Sequence, residues 1–155
     1  MTRYRTTTAA GVIAAFVLVL VFGSPPYGDW ARDNANGTGA LDWFLTLLSW
    51  PSWNFDADLP VRDIVAIMLR AILVVALTAL FLTVLAGDRA RAAGQLLSGW
   101  AAYVFAGAVA GLLAAIFVSD PSTLGAFQAA AGGATYGLFA GWIVGIATLR
   151  APSRR

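Results

Sequence analysis

The sequence predicts an all-α integral membrane protein, with four transmembrane helices and a short interfacial helix in the first extracytoplasmic loop. Three observations predict it. Apolar runs at about 7–23, 61–86, 92–118 and 122–149 approach or exceed the roughly 20 residues that cross a hydrocarbon core. The hydrophobic fraction is 59% and the mean hydropathy +0.75, far above what a soluble surface carries. The arginines and aspartates are sorted between the connections rather than mixed. At 155 residues the chain is a single membrane domain.

Arg3 and Arg5 precede the first apolar run, Ala9 to Phe22, which ends at Gly23, Ser24, Pro25 and Pro26. A basic start and an apolar centre also describe a secretory signal peptide. Leu20, Val21 and Phe22 put bulky residues where a signal peptidase requires small ones. The stretch is therefore expected to stay as a first helix, threonines 6 to 8 included.

Residues 24–60 form the long connection, rich in Pro, Gly, Asn and Asp. It carries Asp29, Asp33, Asp42, Asp56 and Asp58 against Arg32 alone. Within it, Leu41 to Trp50 is apolar but too short to span. Trp43, Phe44, Leu47 and Leu48 share one helical face. That pattern predicts a short helix lying in the membrane interface, stopped by Pro51. Trp43, Trp50 and Trp53 would be its interfacial anchors, with Trp30 nearby; a plain loop whose aromatics cap the bundle is the alternative. Asn36, Gly37 and Thr38 match a glycosylation acceptor, a tripeptide too common by chance to carry weight.

The second span is expected to begin after Pro60, a residue suited to a first helical turn, and to stop at Gly87, a C′ glycine. The third is expected to end before the tight connection Ser119 to Ser122, where Asp120 can cap the fourth and Pro121 can take its first position. So short a turn makes the third and fourth helices antiparallel neighbours.

The fourth span has a distinctive grain. Gly133, Gly137, Gly141 and Gly145 fall on a four-residue step, which Ala129 and Gly125 extend upstream. Residues four apart stack on one helical face, so the step makes a groove bare of side chains, of the kind used in small-xxx-small crossings. The third span has its own small row at Gly99, Gly107, Gly111 and Ala115, interrupted by Tyr103. The groove's occupant is either that helix, with Gly107 and Gly111 as the simplest partners, or a helix of another protein.

Orientation follows from arginine. With four spans, Arg3, Arg5, Arg89, Arg91, Arg150, Arg154 and Arg155 lie on one side, against Arg32 and Arg62 on the other. The positive-inside rule then places both termini in the cytoplasm of a bacterial plasma membrane and the acidic loop outside. Arg70 is the one charge well inside a span, about 10 Å from its outer end at about 1.5 Å per residue. Such a charge is either a functional contact or an arginine snorkelling outward. Asp63 lies two turns away on the same face, too far for an easy bridge. Arg70 is therefore expected to meet Asp120, a carbonyl, a lipid head group or a partner subunit. Gln128 and Tyr136 add polar atoms to the fourth span, as interhelical glue; Gln128 is, with Arg70 and Asp63, a candidate contact for lipid or partner.

All ten basic residues are Arg and all eight acidic residues Asp; Lys, Glu, His and Cys are absent. That composition excludes His and Cys metal sites, haem ligation, thiol chemistry and a Ser-His-Asp triad. No catalytic apparatus and no cofactor is expected, and the net charge of +2 gives no sign of nucleic-acid binding.

Four short helices with cytoplasmic ends resemble the small four-helix drug and metabolite transporters. That family places a Glu in its first helix to bind protons and cationic substrates, and this chain has none, which removes that mechanism. The Arg3 to Arg5 start, the Pro25-Pro26 exit, the tryptophan-rich loop at 43–53 and the terminal glycine row resemble small actinobacterial four-helix proteins of drug/metabolite transporter-like type. The chain is also similar to the lipid-uptake coordinator proteins, accessory subunits of the mycobacterial Mce lipid importer. The resemblance implies a non-catalytic accessory subunit, with membrane lipids and permease-type subunits as partners. A small oligomeric transporter of lipophilic compounds is the rival expectation.

Overall fold

The computed structural model describes residues 2–35, 37–53, 58–85 and 92–149. Among them are six helices and no strand: α1 (Thr2–Phe22), α2 (Pro25–Asn34), α3 (Ala40–Leu48), α4 (Val61–Leu85), α5 (Ala92–Ala114) and α6 (Thr123–Leu149). The expected stop at Gly87, the Asn36 acceptor and the arginines at 89, 91, 150, 154 and 155 lie outside the described residues.

Among the described residues three helices are long and apolar enough to cross a membrane: Val61–Leu85, Ala93–Ala114 and Thr123–Leu149. In α1 and α2 together lies a further candidate, a pair bent by 60° at Gly23 and Ser24. Apart from Arg62, Asp63 and Arg70 of α4, the three long helices are apolar on nearly all sides, a pattern of buried or membrane segments, and a helix satisfies its own backbone where water is absent.

The long connection is more ordered than a loop with one short helix. Residues Pro25 to Asn34, expected as irregular chain, form α2, capped by the Ser24 hydroxyl, which accepts from Tyr27 N–H at 3.4 Å, with Pro at the first positions. The start signal was present in Ser24-Pro25, masked by the polar composition that follows. Two other helix ends also differ from expectation. Ser122, and not Asp120, opens α6: its hydroxyl accepts from Gly125 N–H at 3.0 Å and its carbonyl from Ala126 N–H at 2.9 Å. The third span closes earlier than residue 118; after Ala114 it unwinds through tighter turns, Ile116 N–H to Leu113 O and Phe117 N–H to Ala114 O.

The four long helices form a ring, in which α5 packs between α4 and α6, and α1 closes the circuit against α4 and α6. The centre is filled by Ala15, Leu18 and Val19 of α1, Val74 of α4, Tyr103 and Ala110 of α5, and Tyr136, Ala140 and Val144 of α6. Over one end lie α2 and α3, Leu48 buried beneath them and Tyr27 Oη donating to Leu45 O at 3.1 Å.

Candidate functional site

Two arrangements distinguish the bundle: a seam of bare backbone between α5 and α6, and a stack of aromatic rings leading to Arg70.

The seam is built by glycine. A side chain on Gly107 would run into the Gly133 carbonyl, and one on Gly133 into the Gly107 carbonyl; Gly111 stands in the same relation to Ala129 O. Further along, a Cβ on Gly137 would lie 2.6 Å from Val104 Cα, and on Gly145 2.6 Å from Leu96 O. Gly141 is looser, with its nearest neighbour Trp100 Cδ1 at 3.0 Å. So Gly107, Gly111, Gly133, Gly137, Gly141 and Gly145 all face the α5–α6 contact, and the groove of α6 is occupied by α5. Polar atoms reinforce the seam: Trp100 Nε1 donates to Leu138 O at 2.9 Å, and Thr148 Oγ1 to Gln95 O at 3.2 Å.

Tyr103, which breaks the small row of α5, lies on the same face and is fully buried with Tyr136. Their hydroxyls are 3.0 Å apart, each the other's partner across the two helices. A buried hydroxyl without a partner is costly, so the pair fixes the axial register of α5 on α6. The interruption in the glycine row was the available signal: a tyrosine on a contact face needs a polar mate.

From Tyr136 the stack continues outward. Trp50 lies on the Tyr136 ring, centroids 5.4 Å apart and planes 23° apart, and the Arg70 guanidinium carbon lies 5.0 Å from the Trp50 ring centroid. Trp50 fits there because Gly132 and Gly133 have no side chains; Cβ atoms on them would lie 3.2 Å and 2.8 Å from its ring. An aromatic on the positively charged guanidinium is a cation–π contact, stronger as water is excluded. Arg70 Nη2 also donates to Ser52 Oγ at 3.0 Å. Arg70 therefore binds the segment after α3, a contact not among the expected ones of Asp120, a carbonyl, a lipid head group or a partner subunit. Asp63 is bound elsewhere, Oδ1 accepting from Ser119 N–H at 2.8 Å, which fastens α4 to the α5–α6 connection.

Trp50 and Trp53, expected as interfacial anchors, are folded inward. Trp53 Nε1 donates to Val19 O at 3.1 Å and Trp53 N–H to Gly23 O at 2.9 Å, so it closes the end of α1. Trp43 is half exposed and meets Phe139 edge-on at 5.1 Å. Gln128 is exposed on α6, away from the stack. Ser52, which no spacing in the sequence relates to Arg70, is the contact that sequence reasoning missed.

Among the described residues no group of three or more carboxylates is placed to hold a metal ion. The arrangement can do two things chemically: hold helices at backbone contact, and keep one guanidinium packed inside the end of the bundle that α3 covers. It defines an all-α protein with three to four helices able to cross a membrane. Compared with protein-family models, with curated proteins and with solved structures, the chain matches none.

Proposed function

We propose that this protein is a non-catalytic accessory subunit of a larger inner-membrane complex, crossing the plasma membrane four times with both termini cytoplasmic. The observation that carries the reading is the filled centre of the bundle. Ala15, Val74, Tyr103, Ala106, Ala110, Tyr136 and Val144 are inaccessible there. The Tyr103 and Tyr136 hydroxyls bond each other at 3.0 Å, and beside them Thr78 Oγ1 donates to Val74 O at 2.6 Å and Thr148 Oγ1 to Gly145 O at 2.6 Å. A protomer packed in this way offers a solute no lengthwise polar route, which suits a structural partner better than a carrier. Its glycine groove is taken up by α5, so docking falls to the apolar outer faces of α1 and α4, where Ile13, Phe16, Ile72 and Val84 are exposed. The resemblance to the lipid-uptake coordinator proteins makes a Mce-type lipid importer the first complex to test.

One observation favours the rival reading, a transporter of lipophilic compounds whose path lies between protomers. An open groove of about 440 Å³ runs between α1 and α4, lined by apolar residues such as Phe16, Leu20, Met68 and Ile72. Purification in mild detergent followed by mass spectrometry separates the two. Larger permease-type subunits recovered with the protein support the accessory role, and a homo-oligomer alone overturns it. Topology is checked separately: a fluorescent reporter fused after Arg155 should be bright and a phosphatase inactive, and the opposite result reverses the orientation.

A further inference from the structure

Beside the aromatic stack, a cavity of about 360 Å³ opens between the start of α4, the end of α5 and the start of α6. Its volume lies within the roughly 300–1,000 Å³ of small-ligand sites. Most of the wall is apolar or small, with Ile67 and Val118 on its sides and Gly111, Ala115 and Ala129 among its small residues. The charged groups on it are Arg70, Asp63 and Asp120. They lie at different depths. Arg70 is two turns into α4, whereas Asp63 is in its first turn and Asp120 is exposed in the connection before α6.

None of the three is fully engaged within the chain. Arg70 gives Nη2 to Ser52, but its Nε is buried and finds no partner among the described residues. A guanidinium carries five N–H donors in a planar fork suited to phosphate. Asp63 accepts one bond through Oδ1, and a carboxylate offers about four acceptor sites.

We propose that this cavity binds the phosphoethanolamine head group of a membrane phospholipid. The reading rests on α4, α5 and α6 crossing a membrane. The phosphate lies against Arg70, where charge-assisted and bidentate N–H to oxygen bonds form. The ammonium turns toward Asp63 and Asp120, which accept its three N–H donors. The order matches the lipid, with the phosphate nearer the hydrocarbon and the amine nearer water. The charge balance selects for it as well. One arginine and two aspartates repel a purely anionic head group, while a quaternary ammonium has no N–H to give to the carboxylates.

The test is native mass spectrometry of the full-length protein in detergent, offered equal amounts of phosphatidylethanolamine, phosphatidylglycerol and phosphatidylcholine. Phosphatidylethanolamine should be retained about tenfold over the other two, the size expected of one charge-assisted hydrogen bond. Arg70→Gln should abolish retention. Asp63→Asn keeps an acceptor for Ser119 N–H, and Asp120→Asn changes an exposed side chain; each should shift the preference toward phosphatidylglycerol. Equal retention of the three lipids by the wild type overturns the proposal. So does an unchanged preference in both aspartate variants, which decides the matter even where Arg70→Gln fails to fold. Displacement of the lipid by water-soluble phosphoethanolamine at equal concentration would assign the site to the free compound and overturn the lipid assignment. The accessory role stands or falls on co-purification, independently of this result.

Discussion

The two sides of the bundle are held together by opposite means. Between α5 and α6 the side chains have been removed, and backbone lies on backbone at Gly107, Gly111, Gly133 and Gly137. Between α1 and α4 branched side chains such as Leu18, Val19 and Val74 remain in the core beside Ala15 and Ala71, and an open groove lies outside them. In lipid, apolar side chains gain little from leaving the acyl chains, so close contact and hydrogen bonds decide which helices hold. By that measure the α5–α6 pair is the rigid half of the molecule, and α1 and α4 are the adjustable half.

Adding volume should disrupt one side and leave the other intact. Gly133→Leu or Gly107→Leu should bring the largest loss, preventing α5 and α6 from meeting, read as absence of a monodisperse peak in size-exclusion chromatography. Alanine at the same two sites meets carbonyl backbone that cannot turn aside. There the cost of overpacking, about 1–3 kcal/mol, should exceed the helix-propensity gain of about 1 kcal/mol. Gly141→Ala should be milder, because its nearest neighbour is the edge of the Trp100 ring. Equal melting temperatures for Gly133→Ala and Gly141→Ala would remove the distinction between close and loose points on the seam.

Trp50→Ala comes next. Trp50 is only half-buried, so the loss should fall at or below the low end of the roughly 3–5 kcal/mol typical of core aromatics, measured by thermal unfolding in detergent. It should also free the segment around Ser52, seen as faster amide exchange there. A smaller effect is expected from Tyr103→Phe. The coupling between Tyr103→Phe and Tyr136→Phe in a double-mutant cycle should be near 0.6 kcal/mol, about the average for hydrogen bonds between membrane helices. The smallest is Ala76→Leu, which adds volume to the exposed side of the α1–α4 groove. It should alter stability by no more than about 0.5 kcal/mol; a large loss would show that the groove is already closed.

The sequence made some of this legible and hid the rest for physical reasons. The long helices followed from apolar length, because a chain in lipid has no other way to satisfy its backbone. The face of the seam was legible because a four-residue step is a geometric property of one helix. Arg70 stood out as a charge, but its mate did not: Ser52 is 18 residues away in an irregular turn, and no periodicity links the two. The partners of Trp50 were hidden too, because a tryptophan near the end of a span looks the same in sequence whether its ring faces outward or packs on the bundle. What drew it inward was the gap at Gly132 and Gly133, far along the chain. The helix α2 was lost in a polar stretch whose start signal was only Ser24-Pro25.

The position of Trp50 also sets an order of events during synthesis. Its seat on Tyr136 belongs to α6, which is made after α1 to α5, while Trp50 itself emerges early. Until α6 arrives, the ring has no platform, Arg70 lacks the packed tryptophan beside it, and α1 cannot close against its far neighbour. The segment from α1 to Trp53 must therefore wait, inserted but unsettled, for α6. That delay is the interval in which an insertase or a quality-control protease would meet it.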